Sequence, residues 1–213
     1  MARLLIFDWD GTLSDSLDRI ARCLRLASRE IGLPVPSVTA ATDIVGLGLY
    51  DAVERLFPGI ERAQIHALRD CYARHFVRED AIPCPFYPGV LDTLETLRDN
   101  GHLLAVATGK TRKGMDRVLK ATALEGFFHS TRTADETASK PNPKMLRTLL
   151  DELSVPVADA LMIGDTEYDM QMAHSIDMPR LAVSYGAHER HRLLPFQPLD
   201  CIDDFKKIID IIK

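Results

Sequence analysis

The sequence predicts an α/β fold: a parallel sheet covered by helices on both faces, with a helical insertion after its first strand. Three observations carry that expectation. The opening "RLLIF" is a short apolar run of strand length, closed by acids in "DWDGTLSDS". From Leu17 to about Asp80 the chain shows helical spacing and no strand pattern. Beyond that point, apolar runs of strand length alternate with amphipathic runs of helix length, as expected for strands buried on both faces between helical crossovers.

The elements follow in order. Leu17, Ile20, Leu24, Ala27 and Ile31 recur at helical spacing up to Gly32. Further helical patterns run through "DAVERLF" and "RAQIHALRDCYARHF". The segment "AIPCPFYPGV" then holds three prolines and a glycine, which disfavour continued helix and mark a linker. After it come a helix over Val90–Asp99, the strand "HLLAVAT", a helix from about Arg112 and a short extended piece near "STRTA". A helix over Pro143–Leu153, the strand "ALMIGD", a helix over Tyr168–Ser175, the strand "RLAVSYG" and a terminal helix "DDFKKIIDIIK" complete the pattern. This divides the chain into a core of residues 1–15 and 88–213, a helical domain of residues 16–81 and a linker at 82–87.

Composition narrows the classes. The 213 residues are 46% hydrophobic and 27% charged, an ordinary globular balance that argues against extended disorder. A net charge of −5 argues against a nucleic-acid binder, which would carry a basic face. No apolar run reaches the roughly 18 residues of a membrane span, and "MARLLIFDWDG" meets acids too early for a signal peptide. The expected setting is cytoplasmic, away from membranes. Cys23, Cys71, Cys84 and Cys201 are widely spaced, fit no metal-ligand pattern and read as reduced core thiols.

In open α/β sheets, ligands bind beyond the carboxyl ends of the strands. There the chain places Asp8 with Asp10, then Thr108 with Gly109, then Asp165. Taken singly, each has an ordinary reading. "GKT" at Gly109–Thr111 is no P-loop, because position 104 is a strand leucine where that motif needs glycine. Thr108 and Gly109 offer a hydroxyl and an N–H to an anion, or simply a turn with a helix cap. Asp165 and Asp169 fit capping as well as metal binding. Asp15, in "DS" before the long helix, reads as a cap. Lys140, before a proline in "SKPNPKML", reads alone as a solvated loop lysine. Together, acids at two strand ends with a hydroxyl and a lysine compose an oxygen-ligand site for a hard cation such as Mg²⁺, beside contacts for a phosphate.

Four segments, in order, resemble the signature motifs of the haloacid dehalogenase superfamily of phosphohydrolases: "DWDGT", the Thr108 of "VATGK", the Lys140 of "SKPNP", and "GDTEYD". The resemblance implies a Rossmann-like core with a helical cap of the first type, hinged at the linker. It implies that Asp8 is the nucleophile forming an aspartyl-phosphate and a Mg²⁺ ligand. Asp10 would be general acid and then base, lending Mg²⁺ its backbone carbonyl. Thr108 and Gly109 would hold phosphate oxygens, Lys140 would neutralise charge between nucleophile and phosphate, and Asp165 would ligate Mg²⁺ with support from Asp169.

Within the superfamily, an acid at Asp10 favours phosphate esters over halides, since an alkoxide needs a proton on leaving and a halide does not. The phosphonatase reading needs a cap lysine, and the first lysine is Lys110. The cap pattern of sugar-phosphate mutases is absent from "DIVGLGLYDAV". The segment "VGLGL" and the layout most resemble phosphoglycolate phosphatases, so a small-molecule phosphate ester is the expected partner. Mutase or other phosphotransferase, pyrophosphatase and nucleotide activities stay open, as does a catalytically inactive interaction module. Arg19, Arg22, Arg25, Arg55 and Arg62 are candidates for meeting a substrate carboxylate. The sequence fixes no oligomeric state.

Overall fold

Six strands form one parallel sheet: β1 (Leu4–Phe7), β2 (Leu103–Thr108), β3 (Ser130–Thr133), β4 (Ala160–Gly164), β5 (Arg180–Val183) and β6 (Cys201–Ile202). Their order is β3-β2-β1-β4-β5-β6. The structure is a computed structural model and describes residues 2–79 and 82–212. Strand β1 lies in the middle, with Leu4 paired to Leu103 on one side and to Ala160 on the other. Connections run outward to the left and then to the right of β1, so the crevice for a ligand opens at its carboxyl end, between β1 and β4. Asp8 follows there.

Side chains of a strand alternate between the two faces of the sheet, and both faces are covered. Leu5 and Phe7 join Val106, Ile163, Leu94 and Phe205 in one apolar cluster. Leu4 and Ile6 join Ala105, Met162, Met145 and Leu149 in the other. Continuous apolar runs such as "LLIF" therefore mark a strand with no solvent face.

The expected helical insertion consists of α1 (Leu17–Glu30), α2 (Val38–Asp43), α3 (Leu49–Leu56) and α4 (Arg62–Glu79). It carries its own apolar cluster, including Leu24, Ala27, Ala41, Val53, Ile65 and Leu68. The chain leaves and re-enters the sheet region through two segments that pair with each other. Asp15 N–H donates to the Pro85 carbonyl at 2.8 Å, and Tyr87 N–H to the Leu13 carbonyl at 3.0 Å. Residues 80 and 81, where the sequence reading ends its helical domain, lie outside the described residues.

The core helices are α5 (Val90–Asp99), α6 (Arg112–Ala121), α7 (Lys144–Leu153), α8 (Glu167–His174), α9 (Arg190–Leu193) and α10 (Ile208–Ile211). Differences from expectation are local. Strand β6 and helix α9 are too short to leave a periodic signal. The terminal helix begins later than "DDF", because the Asp204 side chain accepts from Lys206 N–H and caps the turn that leads into α10. Asp15 does not cap α1: the N-cap is Ser16, whose side chain makes no capping bond, and Asp15 is exposed. None of the four cysteines is in a disulfide, and Cys84 alone among them is only half-buried.

Candidate active site

Asp8 continues β1 by one residue, its N–H donating to the Ile163 carbonyl at 2.9 Å. Trp9 turns to the opposite side and packs edge-on against Phe86 and Phe128, with ring centroids 5.8 and 6.2 Å away. That anchor leaves Asp8 and Asp10 facing the crevice. The chain then turns at Gly11, whose φ of +88° suits glycine. A Cβ there would stand 2.3 Å from Asp165 Oδ2, so the turn and the β4 acid require each other's shape.

Below Asp8 lies a fully buried polar cluster. Lys140 Nζ is 2.5 Å from Asp8 Oδ1 and 2.6 Å from Asp169 Oδ1. Oxygens of Asp8, Asp165 and Asp169 lie within 4.8 Å of one another. Asp165 accepts from Thr12 Oγ1 and from Ala187 N–H, both at 2.7 Å. Asp169 occupies the third position of α8 and completes a capping box with Thr166, and its other oxygen is free to meet Lys140. Lys140 is not a solvated loop lysine; it is 1% exposed.

Three carboxylates against one ammonium leave excess negative charge out of water. Burial above all, then the charges of Asp169 and Asp165, drive the Asp8 carboxyl well above the usual range, although Lys140 opposes this. Burial, then Asp169, pushes Asp165 up to about 7. Burial alone would lower Lys140, but Asp169 and Asp8 outweigh it and hold the ammonium above its ordinary value. Asp8 Oδ2 is buried with no hydrogen-bond partner. An unpaired buried oxygen is costly, and a divalent cation would both pair it and cancel the surplus charge. The donor set, carboxylate oxygens alone, suits a hard cation.

Asp10 stands apart from this cluster. Its Oδ1 accepts from Ser16 Oγ at 2.6 Å, and its Oδ2 meets Lys110 Nζ at 2.9 Å. The same Nζ lies 5.3 Å from the centroid of the Phe76 ring on α4. Sequence reasoning did not select Lys110 as a site residue. Its place directly after Gly109 at a strand end was the available signal.

Thr108 is fully buried, and its hydroxyl accepts from Lys110 N–H at 3.2 Å. Gly109 faces the helical insertion so closely that a Cβ would lie 2.4 Å from the Leu47 carbonyl oxygen. Between insertion and strand ends is a cavity of about 420 Å³. Asp8, Asp10, Gly109 and Lys110 line it from the core, whereas Lys140, Asp165 and Asp169 lie behind Asp8. None of Arg19, Arg22, Arg25, Arg55 and Arg62 lines it; Arg69 and Arg117 do.

One side of this closure is polar. The Asp43 carbonyl, at the end of α2, accepts from Tyr168 Oη at 3.0 Å and from His188 Nε2 at 2.9 Å. His188 Nδ1 accepts from Glu167 N–H at 3.0 Å, which fixes the neutral tautomer. Burial accordingly lowers the affinity of this imidazole for a second proton. Arg192 pairs with the Asp43 carboxylate and with Glu167, the latter at 2.7 Å. Arg55 sits 3.8 Å from Glu167.

Sheet order, insertion point and acid cluster define a hydrolase class, and the comparisons name it. The family described as haloacid dehalogenase-like hydrolase matches residues 5–183, and the chain belongs to that family. Among its relatives, "Probable phosphatase IndB" of Dickeya dadantii is 31% identical over 98% of this chain and 93% of its own. A phosphoglycolate phosphatase of Aliivibrio fischeri is 29% identical over 99% and 96%. A crystal structure of a hydrolase from Pseudomonas syringae shares the fold with a TM-score of 0.88, covering 97% of this chain and 95% of that one at 22% identity.

Proposed function

We propose that this chain is a Mg²⁺-dependent phosphatase that hydrolyses a small-molecule phosphate monoester, phosphoglycolate-like in class, through an aspartyl-phosphate on Asp8. The observation that carries the reading is Asp8 itself. One of its oxygens is held by Lys140 while the other is buried and unpaired, next to two further carboxylates. The names of the relatives, a phosphatase and a phosphoglycolate phosphatase, support the same class.

Mg²⁺ would be held by the carboxylates of Asp8 and Asp165 and the backbone carbonyl of Asp10, and would supply charge neutralisation for nucleophile and phosphate together. The chain's own groups do the rest. An Asp8 carboxylate oxygen attacks phosphorus, and the bond to the ester oxygen breaks. Asp10, oriented by Ser16 and Lys110, gives its proton to the departing alkoxide and then takes one from the water that opens the acyl phosphate. Thr108 and Gly109 hold phosphate oxygens by hydroxyl and N–H. Lys140 opposes the negative charge that builds between Asp8 and the phosphate, and Asp169 keeps Lys140 and the metal-binding acid in place.

In this reading residues 16–81 act as a cap over a core of residues 1–15 and 88–213, hinged at 82–87. Closure of the cap excludes water and limits substrates to small molecules. Among the described residues no helix is long and apolar enough to cross a membrane. We place the reaction in the cytoplasm, with no nucleic acid or membrane as partner. Phosphate release from a panel of small esters, with and without Mg²⁺, tests the reading. Metal-dependent release from monoesters is the expected result; release that survives exhaustive chelation contradicts it. Phosphate moved to a second sugar would indicate a mutase, and release from pyrophosphate alone a pyrophosphatase. A folded protein inert toward every ester would indicate an interaction module.

A further inference from the structure

The cavity above Asp8 differs from what a two-carbon acid phosphate needs. Its volume of about 420 Å³ falls within the range, roughly 300–1,000 Å³, of clefts that bury drug-sized ligands. Its roof is apolar: Leu24 of α1, Ile44, Val45 and Leu47 of the loop between α2 and α3, Leu49 of α3 and Phe76 of α4. A phosphate with a short acidic tail would leave most of that space to water held against apolar walls, the unfavourable arrangement that burial relieves.

The charged groups of the lining sit on the core side and at the mouth, away from the apolar roof. Beside Asp8 and Asp10 the cation at the floor is Lys110, already 2.9 Å from Asp10 Oδ2. Arg69 donates to Asp70 at 2.9 and 2.8 Å and stands at the exposed mouth with it. Lys113 is exposed as well, and half-buried Arg117 of α6 completes the cations of the lining.

We propose that this chamber selects monoesters of uncharged, mainly apolar alcohols, aromatic or branched and of benzyl size or larger, over phosphoglycolate. The proposal rests on the phosphatase reading for its chemistry and departs from the relatives' named substrate in the leaving group. Leu49, Val45, Leu47 and Phe76 are its specificity-determining side chains. An apolar alcohol there displaces water from the wall, and Lys110 stays with Asp10.

Two measurements on the full-length protein separate the proposal from the reading beneath it. In the first, kcat/KM with Mg²⁺ is determined for ethyl, butyl, hexyl and benzyl phosphate and for phosphoglycolate. The expected result is a rise of about three- to fourfold per added methylene, the effect of burying one such group, with benzyl phosphate at least tenfold above phosphoglycolate. In the second, calorimetry measures binding of benzylphosphonate and methylphosphonate, which cannot turn over. The benzyl compound is expected to bind more tightly. Leu49→Arg and, at the exposed rim, Ala73→Trp are expected to lower both ratios at least tenfold, and thermal melting checks their folding.

A flat series, or phosphoglycolate equal to or above benzyl phosphate, overturns the apolar chamber and leaves the phosphatase reading standing. No hydrolysis, but a binding preference for the benzyl compound, supports the chamber and overturns the phosphatase reading. Neither hydrolysis nor a binding preference overturns both. The wild-type series decides the case even where a variant fails to fold.

Discussion

The polar cluster behind Asp8 and the chamber in front of it share one aspartate and almost nothing else. Behind it, Lys140, Asp165 and Asp169 are buried and fixed by close polar partners. In front, the helical insertion supplies an apolar roof over a floor of core residues, with a mouth to solvent. In the proposed mechanism the rear region serves steps that every phosphate ester shares, and its groups are each held by several partners. In the same reading the front region meets the part of the substrate that varies.

Variants test that division, beginning with the largest expected effect. Asp10→Asn leaves the buried cluster intact and removes the proposed proton donor. Alkyl esters should slow by about 10²–10⁴-fold, whereas an aryl ester such as p-nitrophenyl phosphate should give a burst of nitrophenol followed by slow turnover, because its leaving group needs little protonation. Equal losses for alkyl and aryl esters without a burst, in a folded Mg²⁺-binding variant, would remove Asp10 from the acid–base role.

Lys140→Met strikes the rear region. Removing one partner of a buried ion pair costs about 3–5 kcal/mol, and here two carboxylates lose their cation together. Urea unfolding at pH 8 should show that loss and part of it should return at pH 5, as the stranded acids take up protons. A loss identical at both pH values would show that the acids do not carry the cost.

The pH dependence has a definite sign. Asp165 is pushed up to about 7 by burial, and the ordinary value for an aspartate is 3.8. Between those values the folded state holds the proton more tightly than the unfolded state, so this group's contribution to stability falls as pH rises from about 4 to 7 and is constant above. Without metal, wild type should therefore lose Tm across that window more steeply than Asp165→Asn. Excess Mg²⁺ favours the ionised form and should flatten the wild-type slope. Parallel slopes for the two proteins would contradict the charge account of the cluster.

The smallest effect belongs to the polar contact between the helical unit and the core. The side chains of Arg192, Asp43 and Glu167 are 25%, 33% and 24% exposed, so solvent screens their pairing. Arg192→Ala should cost no more than about 1 kcal/mol. It should alter KM and leave the alkyl-to-aryl ratio untouched. A shift in that ratio would couple the contact to Asp10 and blur the division between the two regions.

The same division explains what was legible in the sequence. Strand ends carrying "DWD", "ATGK" and "GDTEYD" mark the core site because polar groups in apolar runs are conspicuous. Lys140 was legible only through resemblance, since nothing in "SKPNP" signals that its ammonium reaches Asp8, 132 residues away, and Asp169. Lys110 was visible but carried no role until Asp10 was seen beside it. Asp15 was read as a cap and is instead exposed, with Ser16 turned toward Asp10. The chamber was not legible. Leu24 and Phe76 have the spacing of ordinary core positions, and only the packing of α1 and α4 over the sheet shows that they face a cavity. The arginines of the insertion drew notice because charge is easily seen, yet Arg25 is spent on the Pro36 carbonyl and Arg19 on that of Ile82.

The central claim is that Asp8 becomes covalently phosphorylated, and one experiment meets it directly. The Asp10→Asn protein, which should stall after the first step, is mixed with Mg²⁺ and a ³²P-labelled aryl phosphate, quenched in acid within one turnover and mapped by peptide. The account predicts label approaching one phosphate per chain on the peptide carrying Asp8, lost at alkaline pH as an acyl phosphate is, and none in the Asp8→Asn, Asp10→Asn double variant. Release of nitrophenol with no label on protein, or label on any other residue, would contradict it.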